Sequence, residues 1–210
     1  MQRILVAIIM IKYHILTPFS REENTKLILK NFKKPNVIFH PLIDKDIEFP
    51  KEKWIEPFRV MPDATKKHPM YDIWNKFIGS EKLIDEDYYL FISDDDFLEP
   101  KFFDKLKGIN TDIILVSMKR GDNGTKSGSA NTLIPNPRRL RRSWIATEQL
   151  IIKGKIIKNE RFLDWHNADG YLIGSLWRKY PHDIFTFKTD VFVWFNYLEP
   201  GRWNSFKRKI

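Results

Sequence analysis

The chain has 210 residues, a formal net charge of +9, 42% hydrophobic residues and no cysteine. This composition excludes disulfides, thiol catalysis and cysteine-ligated zinc, and so apolar a chain is expected to fold rather than to stay disordered. The apolar run over residues 4–11 falls far short of the roughly 20 residues that cross a bilayer, so we expect a cytoplasmic protein with at most peripheral contact to a membrane surface.

The first part of the sequence predicts a strand, a helix and a second strand. Arg3–Met10 is apolar on both faces, as in a central parallel strand, and residues 17–23 form a polar connection. The apolar spacing predicts a helix over Glu22–Phe32 and a second strand over Asn36–Ile43. This β-α-β order requires a right-handed crossover between parallel strands.

The middle of the sequence continues the alternation after an irregular segment rich in charge and proline at residues 44–67. The predicted elements are a helix over residues 68–82, a strand over 87–93, a helix from 99 to 106 and a strand over 112–118. An open α/β sheet of this kind places its ligand site at the carboxyl ends of its strands.

The second half begins with a glycine-rich loop, 121–128, and an arginine cluster, 138–142. Residues 145–152 and a turn at Gly154 follow, and the sequence then predicts an amphipathic helix over Ala168–Lys179 and a β-rich run over residues 184–195. We interpret the chain as one α/β domain with an open mixed sheet flanked by helices. Its two halves are residues 1–118 and residues 119–210, the second of which ends in a basic tail.

Three adjacent aspartates, Asp94, Asp95 and Asp96, follow the uncharged strand predicted to end at residue 93. Neighbouring carboxylates repel one another, so each raises the free-energy cost of ionising the others. A cation or a set of hydrogen-bond donors normally compensates for that cost. Oxygen ligands suit Mg²⁺ and Mn²⁺, which phosphate oxygens of a nucleotide commonly complete. The alternative is an acidic turn that caps the next helix.

The segment Tyr88–Pro100 resembles the DxD segment of GT-A fold glycosyltransferases, especially the family 2-like enzymes, because apolar residues lead into the aspartates and a proline follows. Tyr71–Ile78, which contains Asn75, is similar to the family helix that carries an Arg-Asn pair, with Trp74 at the usual position of the arginine. The resemblance implies a Rossmann-like GT-A fold, a nucleotide-diphosphate sugar of the UDP or GDP type as donor, and Mn²⁺ or Mg²⁺ as cofactor. It also implies that residues 1–118 are the nucleotide-sugar-binding half and residues 119–210 the acceptor-binding half.

By this resemblance, Asp94 and Asp96 bind the metal on the donor diphosphate, and Asp95 faces the ribose or shares the metal. The DxD motif has an alternative register one residue earlier, because Ser93-x-Asp95 also fits the family pattern.

Two further positions complete the cofactor-binding set that the resemblance implies, Asn75 and Asp44. Asp44 and Asp46 follow the second predicted strand, where the family often has a carboxylate near the base or ribose. Either aspartate is equally compatible with an ordinary turn.

Asp169 resembles the catalytic base of the inverting members of this family, since it stands in Asn167-Ala168-Asp169 at the start of a predicted helix. A carboxylate within hydrogen-bond reach of an acceptor hydroxyl can accept its proton during attack on the sugar. Helix capping is the structural alternative for Asp169, and Asp164 is the second candidate for the base. The acceptor itself is a glycan, a protein or a lipid.

Several other residues remain open between binding and packing. His166 and His182 are candidate ligands of a metal or phosphate, and aromatic side chains are candidates for stacking on sugar rings. The arginine cluster and the basic tail suit phosphates, an anionic acceptor or a membrane surface. The tryptophans concerned are Trp165, Trp194 and Trp203.

Two rival functions fit part of the sequence. A nucleic-acid-binding protein would suit the net charge of +9, but it would not explain three aspartates after a strand, and nucleic acid is not favoured as a partner. A nucleotidyltransferase has a related α/β core and commonly has a glycine-rich basic loop after its first strand. Residues 11–16, which we interpret as that loop, contain no glycine, so sugar transfer ranks above nucleotidyl transfer.

Overall fold

The computed structural model describes residues 11–43, 47–120, 132–141 and 144–195, which form a mixed α/β domain core. The strands are β1 (Tyr13–Phe19), β2 (Val37–Ile43), β3 (Phe58–Arg59), β4 (Tyr88–Phe91), β5 (Phe97–Leu98), β6 (Ile113–Arg120), β7 (Thr132–Leu133), β8 (Leu150–Lys153) and β9 (Phe185–Phe195). The helices are α1 (Thr25–Phe32), α2 (Pro69–Ile78), α3 (Phe102–Lys105), α4 (Pro137–Arg141), α5 (Gly154–Ile157) and α6 (Ala168–Lys179). Short 3₁₀ turns lie at Glu22–Asn24, Thr147–Gln149 and His182–Ile184.

The described strands form one sheet in the order β3-β2-β1-β4-β8-β6-β9-β5, with β7 paired to β6. Strands β1 to β4 pair in parallel, so their carboxyl ends lie at one edge. Strand β8 enters antiparallel between β4 and β6. The predicted open mixed sheet flanked by helices is therefore confirmed.

Helices cover both faces of the sheet, because successive residues of its central strands point to opposite sides. Tyr89 and Phe91 of β4 belong to a buried cluster that includes residues of α2 and α6. Tyr88 and Leu90 belong to a second buried cluster, which includes residues of α1 and α3. The central strands are thus buried on both faces, as their continuous apolar sequences predict.

The first described strand lies where the sequence predicted a loop. The predicted strand at Arg3–Met10 lies outside the described residues, and the predicted connection over residues 17–23 is wrong in its first part, because β1 reaches Phe19. The polar-looking His14 obscured the strand pattern. It is only 5% exposed in the structure, where Asp87 and His40 are its hydrogen-bond partners.

Other elements agree with the sequence to within a few residues. The helix at Ala168–Lys179 is confirmed at both ends, and the strands near residues 37–43 and 185–195 are confirmed. The helix predicted over residues 99–106 is shorter, because Phe97–Leu98 forms an extra strand paired to β9. No helix in the described ranges is long and apolar enough to span a bilayer.

Candidate functional site

The acidic triplet lies at the carboxyl edge of the parallel strands, as predicted. Asp94, Asp95 and Asp96 follow β4, which lies beside β1 in the sheet. Their residues are 3%, 5% and 0% exposed, so three carboxyl groups are buried at one strand end. Burial of this kind requires compensating donors or positive charge close by.

Asp94 is held by the loop that follows β1. Its Oδ2 accepts hydrogen bonds from the backbone N–H groups of Ser20 and Arg21, at 2.7 and 2.8 Å, and from the Ser20 hydroxyl at 3.1 Å. The side-chain amide of Asn24 also donates to the Asp94 backbone carbonyl at 2.9 Å. Asp94 therefore anchors this loop against the end of β4.

Arg21 supplies the positive charge that the triplet requires. One guanidinium nitrogen contacts Asp94 Oδ1 and lies 3.1 Å from Asp95 Oδ2, so the cation bridges two carboxylates. The Arg21 side chain is 37% exposed, whereas those of its partners are nearly covered. Sequence reasoning missed Arg21, because it misplaced the first strand. Its position just past the carboxyl end of a parallel strand was the available signal.

The chemistry of the triplet suits a hard divalent cation, because its side-chain ligands are all oxygens. The guanidinium of Arg21 already lies between two of these carboxylates. Among the described residues, no group of three or more His, Cys, Asp or Glu side chains is arranged to hold a metal alone. Mg²⁺ typically uses one or two carboxylates and completes its coordination with waters and substrate phosphates. The donor set therefore suits an ion that arrives with a phosphorylated substrate.

Asp169 lies in the first turn of α6 and lines a cavity of about 360 Å³. Burial raises the pKa of its carboxyl above the ordinary value, although backbone hydrogen bonds from Gly170, Asp169 itself and Thr147, together with the charge of His166, oppose the rise. The cavity is lined by Leu133, Arg139, Trp144, Ile145, Ala146, Asn167 and Asp169. A half-buried carboxyl with a raised pKa, facing a cavity, suits proton transfer.

The 3₁₀ turn Thr147–Gln149 connects Asp169 to the triplet's end of the sheet. The backbone of Thr147 hydrogen-bonds the Asp169 carboxyl. Strand β8, which this turn precedes, runs antiparallel to β4 with Ile151 opposite Leu90. The turn therefore lies beside the residues that follow β4, and it contacts that strand. Asp169 and the acidic triplet therefore both lie next to the turn Thr147–Gln149.

Asn75 and Asp164 lie apart from this arrangement. Both atoms of the Asn75 side-chain amide bind the backbone of Phe162, each at 2.8 Å, so this amide fastens α2 to the segment before α6. Asp164 is exposed and accepts the backbone N–H groups of Lys67 and His68 at 3.2 and 2.9 Å. The first of these bonds is the main reason why its pKa is lowered. Both residues line a separate cavity of about 60 Å³.

The remaining candidates have mixed positions. His166 is exposed beside α6, and His182 stacks on Trp177 with 3.7 Å between ring centroids. Trp165 is exposed, and Trp194 lies on β9 near Phe97. Several predicted site residues lie outside the described residues: Asp44, Asp46, the loop 121–128, Arg142, Trp203 and the basic tail.

Comparison with known proteins gives little further guidance on family. No protein-family model matches the chain. No curated protein matches it either. Among solved structures, it is similar to the inositol-1-phosphate CTP transferase from T. maritima, with 10% sequence identity and a TM-score of 0.43 over 88% of this chain and 89% of that chain.

Proposed function

We propose that the protein transfers a sugar from a nucleotide-diphosphate sugar, of the UDP or GDP type, to an acceptor hydroxyl, and that its sheet belongs to the GT-A kind. One observation carries the proposal: the turn Thr147–Gln149 contacts Asp169 on one side and the end of β4, which leads into the acidic triplet, on the other. A donor diphosphate at the triplet and an acceptor in the cavity would then meet across this turn. The sequence around Tyr88–Pro100 supports the choice of donor.

The proposed role of Asp169 is that of general base. Its carboxylate accepts the proton of the acceptor hydroxyl as the hydroxyl oxygen attacks the anomeric carbon and the bond to the nucleotide diphosphate breaks. The raised pKa makes the carboxylate a stronger base than an exposed aspartate, which favours this transfer. Attack from the face opposite the leaving diphosphate inverts the configuration of the sugar.

The proposed role of the triplet is to bind the donor diphosphate through Mn²⁺ or Mg²⁺, which stabilises the charge of the leaving group. Asp96, with Asp95, would hold the ion. Asp94 is the other residue of the sequence-based pair, but its carboxylate is committed to Ser20 and Arg21. Because Arg21 covers Asp94 and Asp95, we expect its guanidinium to leave these carboxylates when the donor binds.

Calorimetric titration of UDP and GDP, each with and without Mn²⁺, tests the proposal on the native chain and on Asp96→Asn. We expect binding that needs both the ion and Asp96. Asp169→Asn is the matched control, because it should keep donor binding and lose transfer. Failure of both nucleotides to bind the folded native chain would contradict the proposal.

The same titration with CTP separates sugar transfer from nucleotidyl transfer. The prediction that residues 11–16 form the loop after the first strand is wrong, because these residues precede or belong to β1. The loop that does follow β1, Ser20–Asn24, also contains no glycine, so the preference for sugar transfer stands. Tight metal-dependent binding of CTP without binding of UDP or GDP would reverse that preference.

A further inference from the structure

Exposed aromatic rings are concentrated around Asp169. The large hydrophobic side chains that are exposed in the described part of the chain are Met61, Ile84, Ile134, Trp144, Leu163, Trp165 and Tyr171. The three aromatic ones, Trp144, Trp165 and Tyr171, all come from the two short segments that flank the Asp169 cavity. Each indole is more than half exposed, at 58% and 55%. Large apolar groups left in water at one place mark a binding surface more often than chance exposure.

The cavity beside these rings combines one aromatic wall with polar groups. Trp144 lines it together with Arg139, Asn167 and Asp169. Its volume of about 360 Å³ lies within the range of small-ligand sites, roughly 300–1,000 Å³. The side chain of Arg139 makes no ion pair with any residue that the structure describes. The cavity therefore offers an apolar ring face, hydrogen-bonding groups and a guanidinium that is not held in an ion pair, with the Asp169 carboxyl in the same lining.

The outer rings are already arranged before any ligand binds. Trp165 and Tyr171 have ring centroids 6.3 Å apart at 56°, which is a favourable tilted arrangement. The guanidinium of Arg178 lies 6.0 Å from the Tyr171 ring on the same helix. These contacts hold the Tyr171 ring in place, so a ligand that stacks here orders fewer side chains on binding.

We propose that this surface is an acceptor subsite and that the acceptor is a saccharide. The proposal rests on the proposed function and names the acceptor class that function leaves open. A sugar ring has an apolar face of C–H groups and a rim of hydroxyls. The exposed face of Trp144 can pack against the C–H face of the sugar, and Asn167 and Asp169 can hydrogen-bond its hydroxyls. A lipid chain would instead require a continuous aliphatic groove, whereas the aliphatic residues of this lining, Leu133, Ile145 and Ala146, share the cavity with Arg139, Asn167 and Asp169.

Arg139 sets a preference within this class. A guanidinium binds carboxylates and phosphates through paired hydrogen bonds, which a neutral sugar does not offer. The saccharide that binds best is therefore one with an acidic substituent, such as a uronate or a sugar phosphate. The preference belongs to Arg139 alone, so a neutral saccharide of the same size binds through the rings with lower affinity.

The test is binding of the native chain to an array of immobilised neutral and acidic oligosaccharides. We expect retention on saccharides, with acidic members preferred. Trp144→Ala and Trp165→Ala should each weaken it about tenfold, the effect of removing an interface tryptophan that contributes somewhat over 1 kcal/mol. Arg139→Gln should abolish the acidic preference only. Ile84→Ala is the matched control, because Ile84 is 51% exposed at the opposite edge of the sheet.

Each outcome decides between the two proposals. If no saccharide is retained while UDP or GDP still binds, the acceptor proposal is overturned and the proposed function is not. Retention that Trp144→Ala and Trp165→Ala leave unchanged also overturns the proposal, because it places the saccharide elsewhere. Retention that depends on these tryptophans, in a chain that binds neither nucleotide, supports the saccharide site and removes the proposed donor.

Discussion

Arg21 resolves the electrostatic problem that the sequence poses at the acidic triplet. Three adjacent aspartates become buried together because one guanidinium bridges Asp94 and Asp95 while backbone N–H groups satisfy Asp94. Removing one partner of a buried charge pair leaves the other uncompensated, which costs more than the pair contributes. At the residue scale, the triplet and its counterion therefore act as one unit.

Replacing Arg21 tests this unit directly. Arg21→Ala should lower the free energy of unfolding by about 1–3 kcal/mol in the absence of divalent ions, because the carboxylates lose their cation. Added Mn²⁺ should then raise the melting temperature of the variant more than that of the native chain. Arg21→Lys, which keeps the charge, is the control. Equal stabilisation of all three proteins by Mn²⁺ would show that Arg21 and the ion do not share these carboxylates.

The raised pKa of Asp169 predicts opposite pH trends for activity and stability. A base acts only when deprotonated, so transfer should fall as the pH drops through this raised pKa. A carboxyl whose pKa is raised on folding favours the folded state at low pH and opposes it at neutral pH. Asp169→Asn should therefore lose transfer and unfold at a higher urea concentration at pH 7.5. A variant that keeps full transfer, or one that is less stable, contradicts this account.

At the scale of secondary-structure elements, the side-chain amide of Asn75 links α2 to the segment before α6. The family resemblance implies cofactor binding for Asn75, and in the structure its amide satisfies the N–H and C=O of Phe162. Phe162 stacks against Tyr71 and contacts Trp74 and Phe91, so this pair of hydrogen bonds fixes the segment that leads into α6. The position of Asp169 depends on that segment.

We expect Asn75→Ala to destabilise the protein by about 1–3 kcal/mol, because two partly buried backbone groups lose their partner. Nucleotide binding should change little, since Asn75 faces the small cavity beside Asp164 rather than the triplet. Asn75→Asp, which keeps the hydrogen-bond acceptor and loses the donor, should have a free energy of unfolding between those of the native chain and Asn75→Ala. Urea unfolding and UDP or GDP titration measure the two effects. Loss of nucleotide binding from a variant of native stability would restore the cofactor-binding role.

The elements that the sequence predicted best are those whose pattern depends only on local burial. The strand that ends at the triplet has a continuous apolar sequence and the helix that begins beside Asp169 has an amphipathic one, so both elements were predictable. Strand β1 was not, because its burial depends on the pairing of His14 with residues 26 and 73 positions away. Arg21 lies in the loop after β1, and Thr147, which hydrogen-bonds Asp169, lies in the turn before β8. Both residues were missed because the sequence pattern did not place these two strands.

At the scale of the whole molecule, the sheet has the acidic triplet at the carboxyl edge of its parallel strands and a buried polar cluster within its parallel half. His14 on β1 contacts His40 on β2 at 2.8 Å and Asp87, just before β4, at 3.0 Å, and the rings of the two histidines stack. His40 Nδ1 lies 3.2 Å from the Glu56 carbonyl oxygen. Two neutral rings carry two protons for these three contacts, so a neutral pair leaves one contact without a hydrogen bond.

The pKa of His40 is lowered to about 3, mainly by burial and also by the charges of His14 and Lys82, against the hydrogen bond to Glu56. Burial also lowers the pKa of His14, although Asp87 opposes that change. An unfolded chain takes up these protons near pH 6.5, whereas the folded chain does not. The stability that the neutral cluster contributes is therefore present above about pH 6.5 and is lost as the pH falls toward 3.

Removing one histidine of this cluster should make the free energy of unfolding depend less steeply on pH in acid. We expect His40→Gln to be less stable than the native chain at pH 7.5, because the imidazole no longer fills its buried position between His14 and the Glu56 carbonyl. Between about pH 6.5 and 4 its stability should fall less steeply, by up to about 1.4 kcal/mol per pH unit for each proton no longer linked to unfolding. His182→Gln, at an exposed histidine of another element, controls for loss of an imidazole. Urea unfolding across this pH range measures both slopes. Parallel curves for native and His40→Gln chains would show that the buried pair takes up protons equally in both states, which would contradict the lowered pKa values.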